Sequence, residues 1–202
     1  SICLQLHQAM IAPGVGVPVE DIVIVQNPCG SSFGYKFCPS NEALLAVATM
    51  AVDGRPVHLS CSWAQLQFYT GKRSPFWFKA RLAADKDGRF LAAETDWSVD
   101  HGPYSEFGDL LTQRGMQYCF AGYDIKNMRG EGRTVCTNHC WGAPFRSYGS
   151  PQAFFCSESL IDELAKKMGK DPFDLRELNC YREGATTPTQ QKPEVLVFPE
   201  QF

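Results

Sequence analysis

The sequence predicts an α+β fold, with a mixed sheet, β-hairpins and packed helices, and three observations carry that expectation. Short β-branched or alternating runs at 21–26, 56–62, 76–84 and 90–99 read as strands. Apolar residues at helical spacing over 43–51 and 152–168 read as helices. The two kinds of element do not alternate strictly along the chain, which argues for α+β.

Taken in order, the opening run Ser1-Ile2-Cys3-Leu4-Gln5-Leu6-His7 reads as the middle of a helix and carries no initiator Met. Asp21–Gln26 is short and β-branched and ends at the turn signal Asn27-Pro28-Cys29-Gly30, so a strand is expected to enter a tight loop there. After that loop, Ser40 or Asn41 is placed to cap a buried apolar helix over Ala43–Ala51, with Asp53-Gly54 as its stop. Pro56–Ser62, Phe76–Ala84 and Phe90–Val99 follow as strands, the last two joined by the hairpin turn Asp85-Lys86-Asp87-Gly88. Phe76, Phe78, Ala80 and Leu82 alternate with Trp77, Lys79 and Arg81, giving one buried and one wetter face. The helix over 152–168 closes at Gly169, and Asp171-Pro172 supplies an N-cap and a first-position proline for a second helix to about Tyr181. The tail from Gly184 to Pro193 is loop-like.

Composition narrows the function classes. A chain of 202 residues with 44 % hydrophobic and 20 % charged residues buries one sizeable core, so one domain, or a domain with an extension, is expected. A net charge of -3 with scattered Lys and Arg leaves no footprint for nucleic acid. No apolar run approaches the roughly 20 residues that span a bilayer, and no export signal is visible. The nine cysteines include no C-x-x-C pair, and their number is odd, so a disulfide framework is not expected. Cys136-Thr137-Asn138-His139-Cys140 lacks the second ligand pair that zinc would need, and several of the nine cysteines sit among apolar residues, where they would serve as small core side chains. A reducing, cytoplasmic setting fits this usage best.

Two loops carry the functional information. Gly30-Ser31-Ser32-Phe33-Gly34-Tyr35-Lys36-Phe37 is a glycine-containing turn whose backbone N–H groups can approach an anionic oxygen. Ala143-Pro144-Phe145-Arg146-Ser147-Tyr148-Gly149-Ser150-Pro151-Gln152 precedes a helix. Read from its residues alone, the first is an ordinary strand-to-helix turn with Phe33 as a core plug, and the alternative for the second is a helix-leading loop whose arginine forms a salt bridge. Asp100 and His101 are neighbours on a strand and point to opposite faces, so they make a poor acid–base pair, and Ser147 and Ser150 lack a nucleophile elbow.

Together the loops resemble the two cofactor-facing loops of the molybdenum hydroxylases, the xanthine oxidase family. Tyr35-Lys36-Phe37 and the run Asp100-His101-Gly102-Pro103-Tyr104-Ser105-Glu106-Phe107-Gly108 resemble its bacterial aldehyde oxidoreductase branch. The resemblance covers nearly all 202 residues but only part of such an enzyme, the first half of its molybdenum-binding region. It implies that Phe33 and Gly34 lie against a molybdopterin carrying molybdenum, for which a cytosine dinucleotide form is an option, and that Arg146 contacts the same cofactor through its backbone amide. It implies substrate-facing roles for Phe37, Arg114 and Tyr148. Purine-oxidising members have a glutamate where this chain has Phe37, which favours aldehydes. Arg114 matches an arginine of their substrate channel and reads equally as a solvated surface residue. Ser147 stands where the family more often has glycine and its carbon monoxide dehydrogenase branch a copper-carrying cysteine. Ser31 and Ser32 replace glycines of the first loop and restrict its backbone.

The implied function of the whole enzyme is oxidation of aldehydes to carboxylic acids by attack of a metal-bound hydroxide, with hydride transfer and electron exit through iron–sulfur clusters. By the same resemblance, the glutamate base lies in a Gly-Glu-Gly-type segment beyond Phe202 and the cluster domains lie before Ser1. This chain then holds no catalytic residue and no metal ligand. Its partners are an aldehyde and the rest of the same enzyme or partner subunits, as a homodimer at full length, and the 202 residues alone are expected to be inactive and to retain no molybdenum. The alternatives are a non-catalytic binding or assembly module, or one subunit of a split molybdenum hydroxylase acting on a substrate such as an N-heterocycle.

Overall fold

The computed structural model describes residues 3–104 and 106–193, so Ser1, Ile2 and Ser105 of the runs above lie outside the described residues. The chain divides into two compact units. The first takes the residues up to Arg73 together with Ala143–Arg146, and the second takes Ser74–Gly142 and the residues from Ser147 onward.

The first unit is built on three helices. The α1 helix, Leu4–Val15, turns His7, Ile11 and Ala12 inward and ends at Gly16, whose φ of 69° lets its N–H return to Ala12 O at 2.9 Å. The α2 helix, Glu42–Ala51, forms where the apolar spacing predicts, but none of its residues is buried, and Leu44, Val47 and Met50 stand more than half exposed. The expectation of a buried helix was therefore wrong: helical period sets the hydrogen-bonded coil, whereas burial depends on what packs against it, and α1 covers only part of this face. The α3 helix, Trp63–Tyr69, was not anticipated, although Ser62 and Gln65 form a full capping box at its start.

Both strands expected in this unit are absent. Val19–Asp21 is a turn of 3₁₀ helix, and residues 22–26 join no ladder, leaving Val25 87 % exposed. Residues 56–62 likewise join no ladder and lead into the α3 cap. β-branched composition favours extended backbone, but a strand exists only where a neighbour supplies the hydrogen bonds.

The second unit holds a three-stranded sheet in the order β1-β2-β3. β1 (Phe76–Ala84) and β2 (Phe90–Asp100) form the expected antiparallel hairpin, from Phe76 opposite Val99 to a bulge at Ala83/Ala84. Its turn is held by Asp85, whose N–H reaches Arg89 O and whose carboxylate accepts from Asp87 N and Arg89 N, with Gly88 at φ 98°. β1 shows the strict alternation read from the sequence, with Phe76, Phe78, Ala80 and Leu82 on the inner face.

β3 (Asn127–Val135) pairs with β2 in parallel, reached through a crossover containing α4 (Gly108–Tyr118). Neither was expected, because both carry two glycines and several charges, which hide the helical and strand patterns. The glycines have a packing reason. An added Cβ at Gly115, Gly130 or Gly132 would collide with or press on the Trp97 indole, which lies in their cradle and donates Nε1–H to Thr112 O at 3.0 Å.

The α5 helix (Ser150–Met168) buries Ala153, Ser157, Ile161 and Ala165 at four-residue spacing against the sheet and α4. Gly169 closes it, and Asp171 caps α6 (Pro172–Asn179) by accepting from Phe173 N and Asp174 N, as the sequence predicts. The core joins Phe90, Phe120, Tyr123, Ile161 and Leu175. Buried Asn179 ties α6 to the hairpin turn, accepting from Phe90 N and donating to Gly88 O and Leu175 O, each at 2.8 Å. All nine cysteines are free thiols, and no helix among the described residues is long and apolar enough to cross a membrane.

Candidate functional site

The first loop is a tight, locally satisfied turn. Phe33 and Gly34 have φ of 51° and 96°, a pair of left-handed conformations that only Gly34 adopts without steric cost. Ser31 Oγ accepts from Phe33 N at 3.5 Å and Ser32 Oγ from Gly34 N at 3.0 Å. The two serine hydroxyls therefore occupy the amide donors, and a hydroxyl is able to rotate away when a stronger acceptor arrives. A short 3₁₀ turn, Tyr35–Phe37, follows, closed by Phe37 N–H donating to Gly34 O at 3.0 Å. Lys36 folds back to Ser31 O at 2.7 Å, and its ammonium lies 5.6 Å from the centroids of both the Phe33 and Tyr35 rings.

Within the same unit, Ala143–Arg146 meets this turn. A Cβ on Gly34 would fall 2.8 Å from Pro144 O and 2.9 Å from Phe145 Cα and N, closer than packed atoms tolerate. Ala143 N donates to Lys72 O at 3.0 Å. Arg73 donates from Nη2 to Arg146 O at 2.7 Å and lies over the Phe145 ring at 4.7 Å. Burial pulls the Arg73 guanidinium pKa below its usual range. The Arg146 side chain is exposed, and among the described residues no carboxylate pairs with it.

In the second unit, Ser147, Tyr148 and Gly149 run at φ of 68°, 33° and 89°, three consecutive left-handed residues just before α5. Ser147 thus occupies a conformation for which glycine is the easier residue. Tyr148 donates its hydroxyl hydrogen to Phe107 O at 2.6 Å. A Cβ on Gly149 would press on Arg114 Cβ at 3.1 Å, so the Tyr148 turn and Arg114 are neighbours. The Arg114 guanidinium bonds Gln117 and lies 6.0 Å from the Tyr118 centroid. Phe33, Gly34, Phe37 and Arg146 therefore belong to one compact unit and Arg114 and Tyr148 to the other.

His101, the residue after β2, is held by two hydrogen bonds. Its Nε2 meets Glu106 O at 2.8 Å, and since a carbonyl only accepts, Nε2 carries the hydrogen and Nδ1 accepts from Ser74 Oγ at 2.7 Å. The ring is fully buried. Asp100 faces elsewhere, accepting from Gly102 N and Thr137 Oγ1. Burial would raise its pKa, but these hydrogen bonds outweigh it and hold the carboxyl below its ordinary value. Among the described residues no group of three or more His, Cys, Asp or Glu could hold a metal ion.

The match that decides the family covers residues 1–180, which fit the molybdopterin cofactor-binding domain. The chain belongs to that family. The chain is similar to the aldehyde oxidoreductase of Megalodesulfovibrio gigas, 60 % identical over 200 residues, which are 99 % of this chain and 22 % of that protein. The solved aldehyde oxidoreductase of Desulfovibrio desulfuricans superposes with a TM-score of 0.92 at 64 % identity, over 96 % of this chain and 22 % of that one. The large molybdopterin subunit of nicotinate dehydrogenase from Eubacterium barkeri is 32 % identical over 181 residues, 90 % of this chain and 42 % of that subunit. The chain thus spans less than half the length of these curated relatives.

A molybdopterin offers anionic oxygens, and the donor amides of Phe33 and Gly34 suit such a group. A Gly-Glu-Gly tripeptide does occur within the chain, at Gly130-Glu131-Gly132, but it sits on β3, where the glycines make room for Trp97 and Glu131 pairs with Arg133 at 2.9 Å. Sequence reasoning missed Arg73 and His7. The groups they hold lie 73 and 30 residues away along the chain, so no local pattern points to them.

Proposed function

We propose that this chain supplies cofactor- and substrate-facing loops of a molybdenum-dependent aldehyde oxidoreductase that converts aldehydes to carboxylic acids. The single observation that carries the proposal is the packing of Gly34 against Pro144–Phe145, which joins in one unit the first loop and the Ala143–Arg146 part of the second loop that the family resemblance singles out. When bound, the molybdenum cofactor supplies the two-electron oxidation and the oxygen transfer, and iron–sulfur clusters elsewhere in the protein take the electrons onward. The chain's own contribution is positional. The amides of Phe33, Gly34 and Arg146 would hold the cofactor, and the first two would exchange their serine hydroxyl partners for stronger anionic acceptors. Phe37 presents an apolar ring that cannot hydrogen-bond a heterocycle, Tyr148 a fixed aromatic wall, and Arg114 a cation toward polar substituents.

The test uses the complete, cofactor-loaded protein that carries this sequence, offered a panel of aldehydes and N-heterocycles with a dye as electron acceptor. Aldehyde-dependent dye reduction is expected. Hydroxylation of an N-heterocycle with no aldehyde turnover overturns the proposal in favour of the second reading, which the 32 % identity to the nicotinate dehydrogenase subunit favours. The Phe37→Glu variant sharpens the result, since a carboxylate at this position is expected to lower aldehyde turnover and admit a heterocycle.

A further inference from the structure

We propose that His7 is a positioning residue that sets the orientation of Phe37, and through it the fit of the aldehyde; this rests on the substrate-facing role of Phe37 proposed above. His7 lies on α1, is 1 % exposed, and reaches the carbonyl of Phe37 with Nε2 at 3.0 Å. A carbonyl only accepts, so Nε2 carries the hydrogen and the bond fixes the ring's orientation. The other nitrogen, Nδ1, faces Glu42 Oε1 at 3.5 Å and makes no hydrogen bond. The Glu42 carboxylate accepts instead, through Oε2, from Ser40 N at 2.9 Å and Asn41 N at 3.1 Å. The segment that leaves the cofactor loop is thus held at two points, by His7 at residue 37 and by Glu42 at residues 40 and 41.

The bond to Phe37 has reach beyond that residue. Phe37 N–H donates to Gly34 O, so its peptide units connect His7 directly to the strained Phe33-Gly34 pair. Without the imidazole donor, the part-buried Phe37 carbonyl loses this hydrogen bond and the short 3₁₀ turn loses its hold on α1. The helix that carries His7 continues to fold around Ile11 and Ala12, which are themselves buried, so the effect concentrates on the turn.

Two isopolar variants in the complete protein separate positioning from general packing. In His7→Gln the side-chain amide nitrogen takes the place of Nε2 and keeps a donor for Phe37 O. In His7→Asn the amide reaches only the Nδ1 position, toward Glu42. His7→Asn is expected to raise KM for an aromatic aldehyde about fivefold, the ratio that a net hydrogen bond carries, with kcat changed by less than about twofold. His7→Gln is expected to restore KM to within about twofold. Hydrogen exchange over residues 33–42 in the cofactor-free protein gives a readout independent of turnover, and is expected to quicken in His7→Asn and return toward the parent rate in His7→Gln. Equal KM and equal exchange in the two variants overturns the role, as does a fall in kcat with KM unchanged. Phe37→Ala serves as the control. An unchanged KM there overturns the substrate-facing role of Phe37 and the inference with it, whereas a raised KM there beside an unchanged His7→Asn overturns the His7 role alone.

Discussion

Replacing Gly34 by alanine adds one methyl group at the point where Ala143–Arg146 meets the first loop. Two costs follow from the geometry. The backbone at φ 96° and ψ −47° is sparsely populated for an L-residue and costs about 1–3 kcal/mol. The Cβ would lie 2.8–2.9 Å from Pro144 O and the Phe145 backbone, and because these are main-chain atoms, relief requires moving a segment, another 1–3 kcal/mol or so. Gly16 separates the two terms, since its φ is 69° and a Cβ there meets nothing within 4 Å, so Gly16→Ala carries about 1 kcal/mol of conformational cost alone. The expected gap between the variants is about 3 kcal/mol, or about 1.5 M in the urea midpoint if the slope is about 2 kcal/mol per molar. Urea denaturation followed by fluorescence and by far-ultraviolet circular dichroism measures it. Midpoints for Gly34→Ala and Gly16→Ala within about 0.2 M of each other would refute the close approach of the two segments.

Three further outcomes are expected. Arg73→Leu removes both the bond to Arg146 O and the guanidinium over Phe145, and should speed hydrogen exchange over residues 143–146 while costing about 1–2 kcal/mol in the same urea assay; unchanged exchange would show that the loop holds itself. Gly132→Ala drives a methyl group into the Trp97 indole and should destabilise by about 1–3 kcal/mol with a shift in tryptophan emission, and emission identical to the parent's would contradict the cradle. Asp100 has a carboxyl pKa held below its ordinary value in the folded protein, so its stabilising contribution is present above the unfolded value of about 3.9 and is lost as pH falls through the lower folded value. The stability difference between parent and Asp100→Asn should accordingly be full at pH 7 and shrink below about pH 4, and a difference independent of pH would be evidence against it.

How legible the molecule was in its sequence depended on whether a pattern was local. The β1–β2 hairpin could be read because its alternation and its Asp-Lys-Asp-Gly turn lie within one short stretch. Gly169, Asp171 and Pro172 likewise placed the end of α5 and the start of α6. The runs at 21–26 and 56–62 misled because β-branched residues announce extended backbone, not the partner strand that makes a ladder. β3 and α4 stayed hidden because their glycines answer to Trp97, whose indole they accommodate from elsewhere in the chain. The candidate loops were visible as motifs, Phe33-Gly34 and Arg146 through Gly149, since the residues lie side by side. Their supports were not, because a buried histidine on α1 or an arginine before β1 looks unremarkable until the fold brings Phe37 or Arg146 to it.

The cradle around Trp97 also bears on the order in which the second unit assembles. The hairpin closes across a turn of a few residues, whereas β3 reaches β2 only after the chain has travelled through α4 and back, a slower search with a larger loop-closure cost. Trp97 lies on β2, yet its indole is enclosed by Gly115 of α4 and by Gly130 and Gly132 of β3. During refolding it should therefore stay wet while the hairpin forms and dry only when helix and edge strand dock, which makes this one side chain an internal clock for the closing step of the sheet.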